Sequence, residues 1–234
     1  IKRLIGAVEF INNKKRWCLW LVGITPAELR KMPLVLQRVE ACKIDRENAP
    51  DAGRRKLAER PTQFREINNP DTFIVVPAVS SERRRYVPMG FLDKETIATN
   101  LVITIPDADL YHFGVLTSNV HMAWMRAVCG RLKSDYRYSK DVVYNNFPWP
   151  TPTDAQKEKI EQTAQAILDA RALYPDSSLA DLYDETTMPP ELRKAHQMND
   201  KAVMLAYGFS VKDMTESKCV AELMRMYQVL ANQD

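Results

Sequence analysis

The sequence predicts an α+β fold. It expects a domain with a mixed or antiparallel sheet and packed helices, followed by a small all-α domain. Three observations carry this expectation. Short β-branched runs recur between Thr72 and Ile105, broken by Pro and Gly. From Asp107 onward, apolar residues recur every three or four positions, the period of a helix face. Past the run Asn145-Asn146-Phe147-Pro148-Trp149-Pro150-Thr151-Pro152, which cannot be regular helix, only helical patterns follow. That run marks the expected boundary between residues 1–150, with an N-terminal hairpin and helical linker over 1–66, and residues 151–234.

Taken in order, Leu4–Ile11 and Lys15–Val22 read as two strands, with Asn12-Asn13 as a tight turn. Thr25-Pro26-Ala27-Glu28 has the cap, the first-turn proline and the returning carboxylate of a helix start. Pro33 interrupts it, so a second helix is expected to about Asn48, then a basic helical segment from Gly53 to Arg60, ended by Pro61. Thr72–Val79, Arg83–Met89, Thr96–Asn100 and Leu101–Ile105 read as strands. Pro77 and Pro88 argue against central positions there, because proline cannot donate to the ladder. Leu110, Phe113, Val120, Trp124 and Val128 predict one long helix, with Gly130 as its left-handed close. Thr153-Asp154-Ala155-Gln156 is a second capping box, ahead of Ile160, Ala164, Ile167 and Leu168. Pro189-Pro190 and Gly208 bracket a further helix, and Thr215–Ala231 forms the last. The methionines of these helices suit core filling.

The 234 residues are 45% hydrophobic and 27% charged, ordinary for a soluble domain. The longest apolar runs, such as Cys18–Val22, are too short to span a bilayer, so no membrane partner is expected. Cys18, Cys42, Cys129 and Cys219 have no CxxC spacing, which fits buried thiols in a reducing cytoplasm. Ile1 opens an apolar-rich segment with no charged leader, so the chain is expected to begin inside a longer polypeptide. The net charge of +3 conceals an asymmetry: +8 over residues 1–87, zero over 88–150 and −5 over 151–234. A basic front suggests that this part alone faces a polyanion. The Arg30–Arg60 region, taken alone, equally suits a solvated helix.

Enzymatic motifs are missing. The seven glycines never take GxG spacing, so no loop lets backbone approach S-adenosylmethionine. Met188-Pro189-Pro190-Glu191 has the wrong flanks for the Pro-Pro-aromatic loop of an amino-methyltransferase. Pro70-Asp71 lacks a nearby carboxylate-x-Lys partner, because Glu216-x-Lys218 lies on a predicted helix at the far end. His112 and His121 are too far apart for paired zinc ligands. No catalytic, cofactor-binding or metal residue is assigned.

Two basic-aromatic runs remain. In the first, Ser81, Glu82, Arg83, Arg84, Arg85 and Tyr86 read as a strand with Glu82, Arg84 and Tyr86 on one face. Arginine pairs with guanine acceptors and glutamate accepts from the cytosine amino group. In the second, Lys133, Ser134, Tyr136, Arg137 and Tyr138 read as a loop whose side chains donate to phosphates. The first run also suits an exposed edge strand that uses charge against aggregation, and the second a loop anchored by tyrosines.

The same residues resemble the MmeI-like (type IIL/IIG) restriction–modification DNA methyltransferases. The likeness rests on Ile74–Leu92, on Leu110-Tyr111-His112-Phe113-Gly114-Val115-Leu116, and on Gly130–Ser139 running through Val142 to Pro148. The opening Phe10–Leu21 is also similar. The resemblance covers almost the whole chain. It implies a target recognition domain followed by C-terminal helices, with double-stranded DNA and an upstream methyltransferase domain of the same polypeptide as partners. It further implies S-adenosylmethionine as the parent's cofactor, Mg2+ if the parent cleaves, and adenine as the methylated base. Two other readings stay open: an RNA-binding accessory domain, since Tyr and Arg also stack on unpaired bases, and a protein-docking module held by the helical tail.

Overall fold

The computed structural model describes residues 1–232. They form two compact units, residues 1–3 with 17–69, and residues 4–16 with everything from Pro70 onward.

In the first unit, Lys2 and Arg3 of strand β1 (Lys2–Ile5) pair antiparallel with Cys18 and Trp17 of strand β2 (Trp17–Cys18). Three helices follow: α2 (Pro26–Arg30), α3 (Pro33–Glu47) and α4 (Ala52–Lys56), the last continuing into a 3-10 turn over Leu57–Glu59. Thr25 caps α2 as its sequence predicts: Glu28 N–H donates to Thr25 Oγ1 (3.2 Å) and Thr25 N–H to Glu28 Oε2 (2.9 Å). Several of the basic residues here are spent inside the unit. Arg46 donates to the carbonyls of Leu57 (2.8 Å), Arg60 (3.0 Å) and Gln63 (2.7 Å), stitching the loop to α3. Arg55 donates to the Ala49 and Pro50 carbonyls, and Arg54 pairs with Asp45. The charge of this segment therefore organises local backbone.

The second unit opens with the short helix α1 (Ala7–Ile11) where the sequence predicts strand. Its cause is local: Gly6 N–H donates to Glu9 Oε2 (2.8 Å), closing a first turn. Strand β3 (Thr72–Pro77) is the centre of an antiparallel sheet, between β5 (Gly90–Asp93) and β7 (Val102–Pro106). Ile74 faces Phe91 on one side and Ile105 on the other. The period of two divides its side chains: Ile74 and Val76 enter the main core, while Phe73 and Val75 meet Ile5 and Val102 in a smaller one. All four are essentially inaccessible, and each buried side chain of this kind is worth about 1.5–3 kcal/mol. Pro77 is tolerated in a central strand because it is the last residue, paired with Val102. Strand β4 (Val79–Ser80) follows β3, and β6 (Thr96–Ala98) precedes β7.

The expected long helix from Asp107 is two helices, α5 (Leu110–Leu116) and α6 (Asn119–Val128). Thr117 and Ser118 turn their hydroxyls back on the Phe113 and Val115 carbonyls (2.7 Å each), and Ser118 then caps α6 by accepting from His121 N–H (3.3 Å). The apolar period continues across the break because both helices bury the same core. Helix α6 passes through Cys129, which has extended backbone, straight into strand β8 (Gly130–Leu132), so Gly130 is not a left-handed cap. Strand β9 (Asp135–Arg137) returns after the two-residue turn Lys133-Ser134, with Lys133 at φ 56°. A π-helical turn covers Lys140–Tyr144.

Helices α7 (Asp154–Ala172), α8 (Leu179–Leu182), α9 (Pro190–Ala206) and α10 (Glu216–Ala231) complete the unit. Thr153 and Gln156 cap α7 reciprocally, as the sequence predicts. These helices do not form a separate core. Ile160, Leu192, Val203 and Leu223 share one continuous apolar cluster with Ile74, Phe113 and Trp124. By compactness these helices belong to one unit with residues 4–16 and 70–150. No helix among the described residues is long and apolar enough to cross a membrane.

Candidate nucleic-acid interface

Three antiparallel strands, in the order β4-β9-β8, build the candidate site. Ser80 lies opposite Tyr136, and Tyr136 lies opposite Arg131. Tyr138 N–H donates to the Ala78 carbonyl (2.9 Å), extending the β4–β9 ladder. The segment leaving β4 is Ser81–Tyr86, and the β8–β9 hairpin carries Lys133–Arg137. The ladder therefore brings together two stretches some fifty residues apart in sequence.

The first stretch is a turn, not the strand its sequence suggests. Arg84 N–H donates to the Ser81 carbonyl (3.1 Å) and Arg83 N–H to Ser81 Oγ (3.3 Å). Glu82 and Arg83 sit at its apex, both exposed. Strand alternation therefore does not sort these side chains. Arg85 is also exposed; Ser81 and Arg84 are half-buried. Burial pulls the Arg84 guanidinium below its ordinary value, opposed by the carboxylates of Asp184 and Asp135.

The tyrosines are corrected by the structure. Tyr86 is 2% exposed and Tyr138 4% exposed, so neither side chain is presented to an outside ligand. Tyr86 stacks on His196, centroids 4.1 Å apart, and donates its hydroxyl to Asp200 Oδ2 (2.7 Å). Burial, then the Asp200 carboxylate, push its phenol far above the ordinary range. Tyr138 Oη lies 2.9 Å from His121 Nε2. Tyr136 is nearly buried in the main core, its outer face covered by the Arg131 guanidinium 4.0 Å from the ring centroid. Period two sets this pattern in β9: Tyr136 and Tyr138 point inward, and Arg137 outward.

What remains at the surface is basic. Arg83, Arg85, Lys133 and Arg137 are exposed, as is Ser134 at the hairpin turn. Arg131 belongs with them. It is exposed, donates to the Ser134 carbonyl (2.8 Å), and lies 3.9 Å from Glu82 Oε2, spanning the two stretches. It sits on the Tyr136 face of the hairpin, while Arg137 occupies the other, so the ribbon carries cations on both sides. The signal for Arg131 was its place opposite Tyr136 once the two-residue turn is recognised. Leu132, 52% exposed, shows that the hairpin is uncovered along β8.

Behind the turn lies a cleft of about 530 Å3, lined by Arg83, Arg84 and Arg85 on one side and by Asn119, Arg126 and Met204 on the other. Arg126 holds Glu216 through two hydrogen bonds (2.8 and 3.0 Å) and donates to the Arg85 carbonyl (3.2 Å). Sequence reasoning missed Arg126, whose partners lie 41 and 90 residues away. A site with projecting cations, hydroxyls and one glutamate can hold phosphates and read base edges.

Residues 1–151 match the MmeI target recognition domain, and residues 152–233 the MmeI C-terminal domain. DNA methyltransferase A of Bacillus subtilis (strain 168) is 42% identical over 228 residues, covering 97% of this chain and 26% of that protein. A solved structure of the type IIL restriction–modification enzyme MmeI in complex with DNA superposes with a TM-score of 0.95 at 46% identity, covering 99% of this chain and 31% of that one. The chain thus spans about a third or less of the length of these relatives. It belongs to the MmeI family and carries that family's target recognition and C-terminal domains.

Proposed function

We propose that this chain is the sequence-reading part of a restriction–modification DNA methyltransferase and does no chemistry itself. Its ligand is double-stranded DNA, held by Ser81, Glu82, Arg83, Arg84 and Arg85 of the turn and by Arg131, Lys133, Ser134 and Arg137 of the hairpin. The observation that carries this reading is the β4–β9 pairing, which sets the turn beside a projecting two-stranded ribbon. The major groove of B-DNA admits such a ribbon. Cations on both faces of it suit phosphates on both walls of the groove. The relative solved with DNA supports the same ligand.

Methyl transfer to adenine, and the S-adenosylmethionine that supplies the methyl group, belong in this reading to an upstream domain of the same cytoplasmic polypeptide. That assignment rests on the seven glycines of this chain, which never take the GxG spacing of such a cofactor loop. Mg2+ would be needed only if the parent cleaves. Among the described residues no group of three His, Cys, Asp or Glu could hold it.

The test is fluorescence anisotropy of a labelled duplex titrated with the chain at several salt concentrations. Binding is expected to weaken steeply with salt, as counterion release requires, and to resist competition by single-stranded RNA. Affinity indifferent to salt, or displacement by RNA at equal concentration, would overturn the reading.

A further inference from the structure

We infer that the C-terminal helices set the conformation of the reading turn, with Asp200 and His196 of α9 as positioning residues for Glu82–Arg85. The inference rests on the proposed DNA-reading role of that turn. Its basis is a set of buried contacts that meet the chain immediately after the turn. Tyr86 is the first inaccessible residue there, stacked on His196 and bonded to Asp200 Oδ2. The other carboxylate oxygen, Asp200 Oδ1, accepts from Asn119 N–H (2.7 Å). Asn119 is the first residue of α6, and α6 runs directly into β8. One carboxylate therefore holds both the turn and the helix that delivers the hairpin.

The grip extends along the segment. The Arg85 carbonyl accepts from Arg126, itself fixed by Glu216 of α10. The Met89 carbonyl accepts from Arg171 Nη1 of α7 (2.6 Å). Arg171 Nε donates to the Tyr183 hydroxyl (2.8 Å), which lies 2.8 Å from His196 Nε2. Every anchor of residues 85–89 named here leads to a helix beyond residue 152.

The choice of aspartate is informative. Burying a carboxylate costs free energy that an apolar contact would not. Two donors converge on Asp200, and each carboxylate oxygen accepts from one of them. Asparagine in its place would still accept from Asn119 N–H, but its NH2 would reverse the bond to the Tyr86 hydroxyl and remove the charge, whereas Tyr86→Phe abolishes that bond outright. The phenol alone would not supply this register: Tyr86→Phe keeps the stacked ring and removes only the bond to Asp200.

The experiment uses the whole chain. Wild type, Asp200→Asn, Tyr86→Phe and Arg83→Ala are each incubated with a randomised duplex library, and the bound fraction is sequenced. Salt-dependent affinity for the unselected library and thermal midpoint are measured alongside. Asp200→Asn and Tyr86→Phe are expected to bind the unselected library with the wild-type salt dependence. They should enrich a degenerate or altered sequence, with roughly tenfold less discrimination at one or more positions. A loss of stability alone would leave the enriched sequence unchanged. If Arg83→Ala alters binding while a folded Tyr86→Phe enriches the wild-type sequence, positioning by α9 is wrong and the DNA-reading role stands. If the wild type enriches nothing and Arg83→Ala changes nothing, the DNA-reading role fails and takes this inference with it.

Discussion

Ser80 and Tyr136 lie opposite each other in the β4–β9 ladder, and that single register places the arginine turn next to the β8–β9 hairpin. The turn leaves the sheet one residue after Ser80. The hairpin tip lies on the other side of Tyr136. Neither stretch makes the site alone.

His121 should make the fold sensitive to acid. Its imidazole is fully buried, and burial pushes its pKa down from 6.5 to about 3. The unfolded chain takes up this proton near pH 6.5, so the stability is complete above that value and is lost as pH falls toward 3. The slope is about 1.4 kcal/mol per pH unit for one such group. Nδ1 has no hydrogen-bond partner, and Nε2 shares one hydrogen bond with the Tyr138 hydroxyl, a pairing that a neutral ring satisfies. The imidazole carbon shifts of His121 in NMR should report a neutral ring throughout the range from pH 7 to about 4. A titration near pH 6.5 would show that the ring is accessible.

Asp200 acts in the opposite direction. Burial raises its carboxyl from 3.8 to about 6, against the hydrogen bonds from Tyr86 and Asn119 and the nearby Arg85 and Arg126 charges. A raised carboxyl contributes stability that is present below 3.8 and is lost as pH rises through about 6. In the wild type this partly offsets the acid loss from His121. The thermal midpoint of Asp200→Asn should therefore fall more steeply than that of wild type between pH 6 and 4. Parallel curves would mean that the carboxyl does not titrate in that window.

Gly114 is fixed by close packing. A Cβ there would stand 2.6 Å from Ile160 Cγ2 and 3.2 Å from Ala164 Cβ of α7. Its carbonyl also accepts from Asn199 Nδ2 of α9 (2.7 Å). Alanine would gain about 1 kcal/mol of helix propensity, but overpacking costs typically about 1–3 kcal/mol. With backbone-bonded helices on both sides, little relaxation is open, so the packing cost should win. Urea denaturation of Gly114→Ala should show net destabilisation; an unchanged midpoint would mean that α5 and α7 move apart freely.

What the sequence made legible was local. Thr25 with Glu28 and Thr153 with Gln156 cap helices through bonds three residues long, and β3 shows its two faces in the alternation of Phe73, Ile74, Val75 and Val76. Both basic-aromatic stretches could be picked out by composition, but not their register. The tyrosines were misread because their partners are distant: Asp200 lies 114 residues from Tyr86, and His121 precedes Tyr138 by 17. The basic character of residues 30–60 gave no hint that Arg46 would hold three backbone carbonyls. Phe10 and Ile11 carry strand-like side chains, yet a bond between Gly6 and Glu9 makes them helical. The break at Thr117-Ser118 was hidden by an apolar period that continues through it.

The central claim is that the exposed cations of the turn and the hairpin meet DNA together. The most direct measurement is the slope of log affinity against log salt for a duplex, in wild type and in Arg83→Ala, Lys133→Ala and Lys212→Ala. The first two should each lower the slope by about one, the loss of one phosphate contact, while Lys212, exposed beyond α9, should leave it unchanged. Equal slopes for Arg83→Ala, Lys133→Ala and wild type would contradict the account.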